Sequence, residues 1–140
     1  FCSFFFADST NDYMEDQNPA ILAVDDNKIN LLLIRECLGQ EFQIVTRRSV
    51  QAALDYLHTH SLPDLVLSDL WIPGQGGLDL IRQINTTFDL PVIIVSGICE
   101  ESYINQAFEA GAFDYICKPL NVNALRNKVR ITLDLVKFKH

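Results

Sequence analysis

The chain has 140 residues, of which 49% are hydrophobic and 21% are charged. This length and balance fit one globular domain with a buried core, and they exclude a chain that is disordered over most of its length. The net charge of −7 argues against direct binding of nucleic acid by the domain, because an acidic surface repels phosphate.

Short apolar runs alternate with amphipathic stretches in the first half of the chain. Ala20–Val24 predicts a strand, residues 28–38 have a helical composition, and Phe42–Thr46 predicts a second strand. Ser49 predicts the N-cap of the next helix. The apolar positions of that helix follow a helical period at Val50, Ala53, Leu54 and Leu57. Leu65–Ser68 then predicts a third strand.

The alternation continues beyond a loop at 73–77 that is rich in glycine and proline. A helix is predicted from about Leu78 to Asn85. Pro91–Val95 is predicted as a fourth strand, whose β-branched run Val-Ile-Ile-Val indicates that it is covered on both faces. Residues 101–110 predict a helix that ends at Gly111. Its predicted inward positions are Ile104, Ala107 and Phe108.

The end of the chain predicts a fifth strand and a fifth helix. Phe113–Cys117 predicts the strand, and the helix is expected from about Val122 to Val136. The predicted inward positions of this helix are Val122, Leu125, Val129 and Val136. Five rounds of strand and helix with short connections predict an α/β fold, namely a doubly wound, five-stranded parallel sheet.

The cysteines indicate the cellular compartment. The chain has four of them, at Cys2, Cys37, Cys99 and Cys117. Their spacing matches neither a zinc site nor the disulfide framework of a secreted domain. Cys37 and Cys117 fall in apolar runs and are interpreted as small core residues. A reducing, cytoplasmic compartment is therefore expected.

The two ends of the chain set the expected domain limits. Residues 1–18 are predicted to be a poorly ordered lead-in or residues added for expression, residues 19–137 to be the folded domain, and residues 138–140 to be a tail or the start of a linker. No apolar run approaches the roughly 20 residues needed to cross a bilayer, so no membrane contact is expected.

Polar side chains stand where four of the predicted strands end. They are Asp25 and Asp26 after strand one, Asp69 after strand three, Ser96 after strand four and Lys118 after strand five. Each one alone is typical of a turn or a helix cap. Together they are expected to converge, because the carboxyl ends of parallel strands share one edge of a sheet.

The chemistry of these residue types indicates a phosphoryl site. Three adjacent carboxylates repel one another and require a cation, and Mg²⁺ prefers such oxygen ligands. A lysine and a serine hydroxyl can contact phosphoryl oxygens, and an aspartate can act as a nucleophile toward phosphorus.

Four segments resemble the receiver domains of two-component response regulators, the CheY-like family. They are AVDDN at 23–27, LVLSDLWIPGQGG at 65–77, IIVSG at 93–97 and DYICKP at 114–119. The resemblance covers about residues 20–136 and implies a flavodoxin-like (βα)5 fold with strand order 2-1-3-4-5. It also implies a signalling switch that is not an enzyme in the usual sense, since it catalyses only its own phosphorylation and slow dephosphorylation.

The resemblance implies roles for the residues at the strand ends. Asp69 would be the phosphoacceptor, and Lys118 and Ser96 would assist phosphoryl transfer. Mg²⁺, with Mn²⁺ as an alternative, would be held by Asp25, Asp26, Asp69 and the backbone carbonyl of Trp71. The Lys118–Pro119 peptide bond would be cis.

The resemblance also implies a switch and a set of partners. On phosphorylation Ser96 would move toward the phosphoryl group, and Tyr115 would swing inward and change the face formed by the fourth helix, the fifth strand and the fifth helix. A histidine kinase or a histidine phosphotransfer protein would supply the phosphoryl group. An output domain beyond the C-terminus would read the change, and a homodimer through the same face is compatible with the pattern.

Three other functions compete with this interpretation. An FMN carrier of the same topology would need a phosphate-binding loop where Asp25 and Asp26 stand. A phosphatase with an aspartate nucleophile would need a second acid where Trp71 stands. A pseudo-receiver, which binds proteins without being phosphorylated, remains the main alternative, although all five site residues are present.

Overall fold

A computed structural model describes residues 18–69 and 76–139, apart from the side chains of residues 138 and 139. Five strands and five helices alternate in these ranges. The strands are β1 (Ala20–Val24), β2 (Gln43–Arg47), β3 (Leu65–Ser68), β4 (Val92–Ser96) and β5 (Asp114–Cys117). The helices are α1 (Lys28–Leu38), α2 (Val50–Thr59), α3 (Gly77–Gln83), α4 (Glu101–Ala110) and α5 (Val122–Lys139). A π-helical turn at Ile84–Phe88 continues α3.

All five strands are parallel and form one sheet in the order β2-β1-β3-β4-β5. The predicted doubly wound fold with strand order 2-1-3-4-5 is therefore confirmed. The chain adds β2 on one side of β1 and all later strands on the other, so the strand order reverses between β1 and β3. In open α/β sheets, ligands bind beside this reversal, outside the carboxyl ends of the strands.

Successive residues of β1 face opposite sides of the sheet, as in any pleated strand. Leu22 and Val24 pack in a core formed with α2, α3 and α4, whereas Ile21 and Ala23 pack in a second core with α1 and α5. Removing a side chain such as Leu22 from water contributes roughly 1.5–3 kcal/mol. The two cores hold the sheet from both faces and so fix the position of its carboxyl edge.

Three strands begin one residue later than predicted, and the reasons are visible at Phe42 and Pro91. The N–H of Phe42 donates to the Leu38 carbonyl at 3.0 Å, so it closes α1 and does not join the sheet. Pro91 has no N–H to donate, and only its carbonyl reaches the neighbouring strand, where it accepts from Val66 at 3.0 Å.

Two predicted inward side chains point outward. Phe108 is 44% exposed, because α4 faces the sheet through Ala107 and Ala110, which are fully and largely buried. Val122 is 41% exposed, since it begins α5 at the solvent end of the helix. In both helices the spacing of apolar residues predicts the correct core-facing side, but it predicts a wider buried face than the structure has.

The predicted domain limits lie at the margins of the described residues. Residues 1–17 of the predicted lead-in lie outside them, and α5 continues through Lys139, past its predicted end at Val136. The limits themselves stay predictions. In the described part of the chain, no helix combines the length and the apolar character that a membrane span requires.

Replacing Gly111 by alanine is expected to destabilise the domain by about 1–3 kcal/mol. Gly111 ends α4 with a φ of 116°, and an added Cβ would collide with the Asn85 side chain. The free energy of urea unfolding measures the effect. Gly97→Ala is the matched control, because a Cβ there meets nothing within 4 Å. Equal stabilities of the two variants would contradict the prediction.

Candidate functional site

The carboxyl ends of β1, β3 and β5 carry predicted site residues on backbone that is bonded to the neighbouring strands. Asp69 follows β3, and its N–H donates to the Val24 carbonyl at 3.1 Å. Lys118 follows β5, and its N–H donates to the Ser96 carbonyl at 2.8 Å. Asp25 follows β1 and is likewise bonded to the neighbouring strand. The sheet therefore positions these residues directly, without an intervening flexible segment.

Lys118 joins the two carboxylates that follow β1 and β3. Its Nζ lies 3.4 Å from Asp25 Oδ2 and 3.3 Å from Asp69 Oδ2. All three side chains are largely shielded from water, so the attraction is stronger than at an open surface. Both distances are longer than the roughly 2.7–2.9 Å of a tight charged hydrogen bond. The ammonium group therefore has room to bind another anion. The Lys118–Pro119 bond is cis, as predicted.

Asp25 is held by two asparagines that sequence reasoning missed. It is only 3% exposed, and a buried carboxylate needs hydrogen-bond donors. The N–H of Asn27 donates to its Oδ1 at 2.9 Å, and Nδ2 of Asn30 donates to its Oδ2 at 3.1 Å. Asn27 also caps α1, where its Oδ1 accepts from Ile29 and Asn30. The sequence does contain a signal for Asn27, because an asparagine directly before a helical segment is a preferred N-cap.

The remaining predicted metal ligands are less defined. Asp26 is exposed beside Asp25, and its backbone carbonyl accepts from Arg48 Nη2 at 3.1 Å. Trp71 lies outside the described residues. Within residues 18–69 and 76–139, no three acidic, histidine or cysteine side chains are grouped closely enough to hold a metal ion. The donors are nonetheless carboxylate oxygens of the kind that Mg²⁺ prefers, and the edge already attracts the cation of Lys118.

Ser96 and Tyr115 meet at the β4–α4 loop, which comprises residues 97–100. Ser96 is 1% exposed, and its Oγ accepts from the N–H of Ile98 at 3.1 Å. Tyr115 points inward with 8% exposure, and its hydroxyl donates to the carbonyl of Ile98. Both backbone polar groups of Ile98 are thus bonded to the two residues predicted to form the switch.

Burial raises the pKa of Tyr115 above its ordinary value of 10.0. The hydrogen bond with Ser96 lowers the pKa, and the negative charges of Asp69 and Glu100 raise it further. The phenol therefore keeps its proton near neutral pH and remains a donor to the Ile98 carbonyl. Because the charge of Asp69 affects the pKa of Tyr115, the two side chains interact electrostatically.

The interpretation of Cys117 as a core residue outside any disulfide is wrong. Cys117 is exposed and forms a disulfide with Cys99, with the Cα atoms 5.9 Å apart. Ser96 lies opposite Cys117 in the β4–β5 register, so the loop after Ser96 returns Cys99 to the end of β5. The sequence separation of 18 could not show this, because only the strand pairing brings the two residues together. Cys37 is half-buried and has a free thiol.

A doubly wound sheet with aspartates, a serine and a lysine at its carboxyl edge defines a class of α/β signalling domain. The family model described as the response regulator receiver domain matches residues 21–130. The chain belongs to this family, whose members are signalling switches of two-component systems and not enzymes in the usual sense.

Relatives and solved structures agree with this assignment. The transcriptional regulatory protein KdpE of Staphylococcus aureus is 33% identical over 117 residues, which are 84% of this chain and 51% of the relative. The transcriptional regulatory protein BaeR of Escherichia coli is 33% identical over 121 residues, 86% of this chain and 50% of the relative. This chain thus spans about half the length of these relatives. A response regulator from Thermotoga maritima superposes with a TM-score of 0.77 at 29% identity, covering 84% of this chain and 98% of that one.

The phenolate of Tyr115 is expected to form only above pH 10.0 in the folded protein. Because the folded state binds this proton more tightly than the unfolded chain, the associated stability is complete below pH 10.0 and is lost as the pH rises through the raised pKa. The difference between ultraviolet pH titrations of the wild type and Tyr115→Phe isolates this group, with circular dichroism to verify folding. If the midpoint of this difference titration lies at or below pH 10.0, the burial of Tyr115 does not raise its pKa and the prediction is wrong.

Proposed function

We propose that the domain accepts a phosphoryl group on Asp69 from a histidine kinase or a histidine phosphotransfer protein. The contact of Lys118 with Asp69, beside the buried Asp25, is the observation that carries the proposal. It joins a nucleophile to a cation at the edge of the sheet where ligands of such folds bind. Membership of the receiver family supports the same reaction.

The proposed transfer is a displacement at phosphorus. A carboxylate oxygen of Asp69 attacks the phosphorus of a phosphohistidine, so that a P–O bond forms while the P–N bond breaks. The electron pair of the P–N bond stays on the imidazole nitrogen, and the product is an acyl phosphate. Lys118 would hold one phosphoryl oxygen, and the Ser96 hydroxyl would donate a hydrogen bond to another.

Mg²⁺, with Mn²⁺ as the alternative, is the cofactor that fits this reaction. The proposed ligands are Asp25, Asp26, Asp69 and the backbone carbonyl of Trp71. A bound divalent cation would neutralise the negative charge that accumulates on the phosphoryl oxygens. Asn27 and Asn30 would keep the Asp25 carboxylate oriented, because the start of α1 fixes both donors.

Ser96 and Tyr115 are the proposed switch. When Ser96 turns toward the phosphoryl group, the change reaches Ile98, whose N–H is bonded to Ser96 Oγ. Tyr115 already points inward with its hydroxyl bonded to the carbonyl of the same residue, so the phosphoryl group would favour this inward position over an outward one. The result would be a shift between two packings of the α4–β5–α5 face, both of them sampled before phosphorylation.

The α4–β5–α5 face is also the proposed binding surface for partners. An output domain after the C-terminus, or a separate protein, would read the shift. A homodimer through the face would expose fewer apolar side chains, since Phe108, Ile131 and Leu135 of α4 and α5 are each more than two-fifths exposed. A cytoplasmic location and the absence of direct nucleic-acid or membrane contact belong to the same proposal.

Phosphorylation is expected to require Asp69 and Mg²⁺. Wild-type protein incubated with acetyl phosphate and Mg²⁺ should gain one phosphoryl group by intact mass, and Asp69→Asn should gain none, because its amide is not a nucleophile toward phosphorus. Asp55→Asn is the matched control, since Asp55 is an exposed acid on α2 that hydrogen-bonds Gln51. No gain in folded wild-type protein would instead favour the pseudo-receiver.

Magnesium affinity is expected to fall by about tenfold or more in Asp26→Asn, because a charged oxygen ligand is lost. Isothermal titration calorimetry with Mg²⁺ and with Mn²⁺ measures the dissociation constants. Asp55→Asn should bind as the wild type does, because the exposed acid is on a helix away from the strand ends. An unchanged constant in Asp26→Asn would remove Asp26 from the proposed metal site.

A further inference from the structure

The Cys99–Cys117 disulfide lies beside the site and has no part in the proposed phosphoryl transfer. Cys117 directly precedes Lys118, and Cys99 lies in the β4–α4 loop, three residues after Ser96. The Cα separation of 5.9 Å falls in the usual range for a disulfide. Both cysteines are exposed, so small oxidants and thiols in solution can reach them.

The disulfide closes a ring around Ile98. On one side, the hydrogen bond from the Lys118 N–H to the Ser96 carbonyl fastens β5 to β4. On the other side, the disulfide fastens the β4–α4 loop to the end of β5. Ile98 lies between these two links and bonds to both Ser96 and Tyr115. The cross-link therefore restrains the loop segment to which the inward Tyr115 is bonded.

The same loop is weakly restrained without the disulfide. Gly97 begins it, and a Cβ at that position would meet nothing within 4 Å, so no neighbouring group packs against that side of the backbone. The two hydrogen bonds of Ile98 are then the main described links between the loop and the switch residues. Single hydrogen bonds at a partly exposed loop open readily, whereas a covalent bridge does not.

We propose that Cys99 and Cys117 form a reversible redox switch, whose disulfide locks the β4–α4 loop in the packing that buries Tyr115. The oxidant is of the peroxide class, and the reductant is a thiol. Disulfides in a reducing compartment are usually transient and redox-sensing, which agrees with two exposed cysteines that join a loop to a strand end.

The chemistry of the switch balances with hydrogen peroxide as the oxidant. One thiolate attacks a peroxide oxygen, so that an S–O bond forms, the O–O bond breaks and the first water leaves. The second thiolate attacks the sulfenic sulfur, so that the S–S bond forms, the S–O bond breaks and the second water leaves. Two thiols are oxidised to one disulfide, one peroxide is reduced to two waters, and the thiol protons end in the water.

The consequence for signalling rests on the proposed function. If phosphorylated Asp69 favours the inward position of Tyr115, the disulfide and the phosphoryl group favour the same packing. Each then promotes the other, because coupling between two sites is reciprocal. Oxidised protein is therefore expected to take up a phosphoryl group faster than reduced protein.

The 140-residue chain treated with hydrogen peroxide or with dithiothreitol tests the proposal. Peptide mapping after alkylation should link Cys99 to Cys117 only in the oxidised sample. Amide hydrogen exchange at residues 97–100 should be slower by about tenfold on oxidation. Uptake of phosphoryl from acetyl phosphate with Mg²⁺ should be faster by about threefold or more, and dithiothreitol should reverse both effects.

Cysteine variants distinguish the effect of the Cys99–Cys117 disulfide on the β4–α4 loop from other effects of oxidation. Cys99→Ser and Cys117→Ser should behave as reduced wild type under both treatments, whereas Cys37→Ala, which keeps the pair, should respond as the wild type does. Absence of the cross-link, or equal exchange at residues 97–100, would overturn the redox lock. Equal uptake rates despite slowed exchange would overturn the coupling. Uptake in neither form, with exchange slowed, would overturn the proposed phosphorylation and support the lock.

Discussion

Charge compensation at the carboxyl edge of the sheet is the interaction on which the site depends. The order β2-β1-β3-β4-β5 brings Asp25 and Asp69 to one edge, where two shielded carboxylates repel each other. Lys118 reaches them from β5, across the end of β4, and contacts both at 3.4 and 3.3 Å. The compensation exists only while β5 stays paired with β4, so the fold and the chemistry of the site stabilise each other.

The sheet could be predicted from the sequence because its signals are local and repeated. Val92 to Val95 form a β-branched apolar run that is typical of a parallel strand covered on both faces, and the observed strand is fully buried. The positions of Asp69 and Lys118 followed from the same reasoning, since polar residues that end parallel strands must share an edge. Features that depend only on one strand and on the residue that follows it can therefore be predicted from the sequence.

Features that depend on register or on side-chain direction could not be predicted in the same way. Asn30 supports Asp25 only because one turn of α1 places its amide beside the carboxylate. The helical period predicts Phe108 as inward nearly as well as it predicts Ala107, although only Ala107 is buried. Cys99 and Cys117 meet only through the pairing of Ser96 with Cys117, which no spacing along the chain reveals.

The β4–α4 loop is where the site and the rest of the domain are joined. The N–H of Ile98 is bonded to Ser96 and its carbonyl to Tyr115, so a displacement of this one residue alters both hydrogen bonds. Under our proposals, a phosphoryl group would act on the loop through Ser96 and an oxidant through Cys99. Because both act on the same two hydrogen bonds, their effects cannot be independent, and a domain with one output face would integrate two chemical signals there.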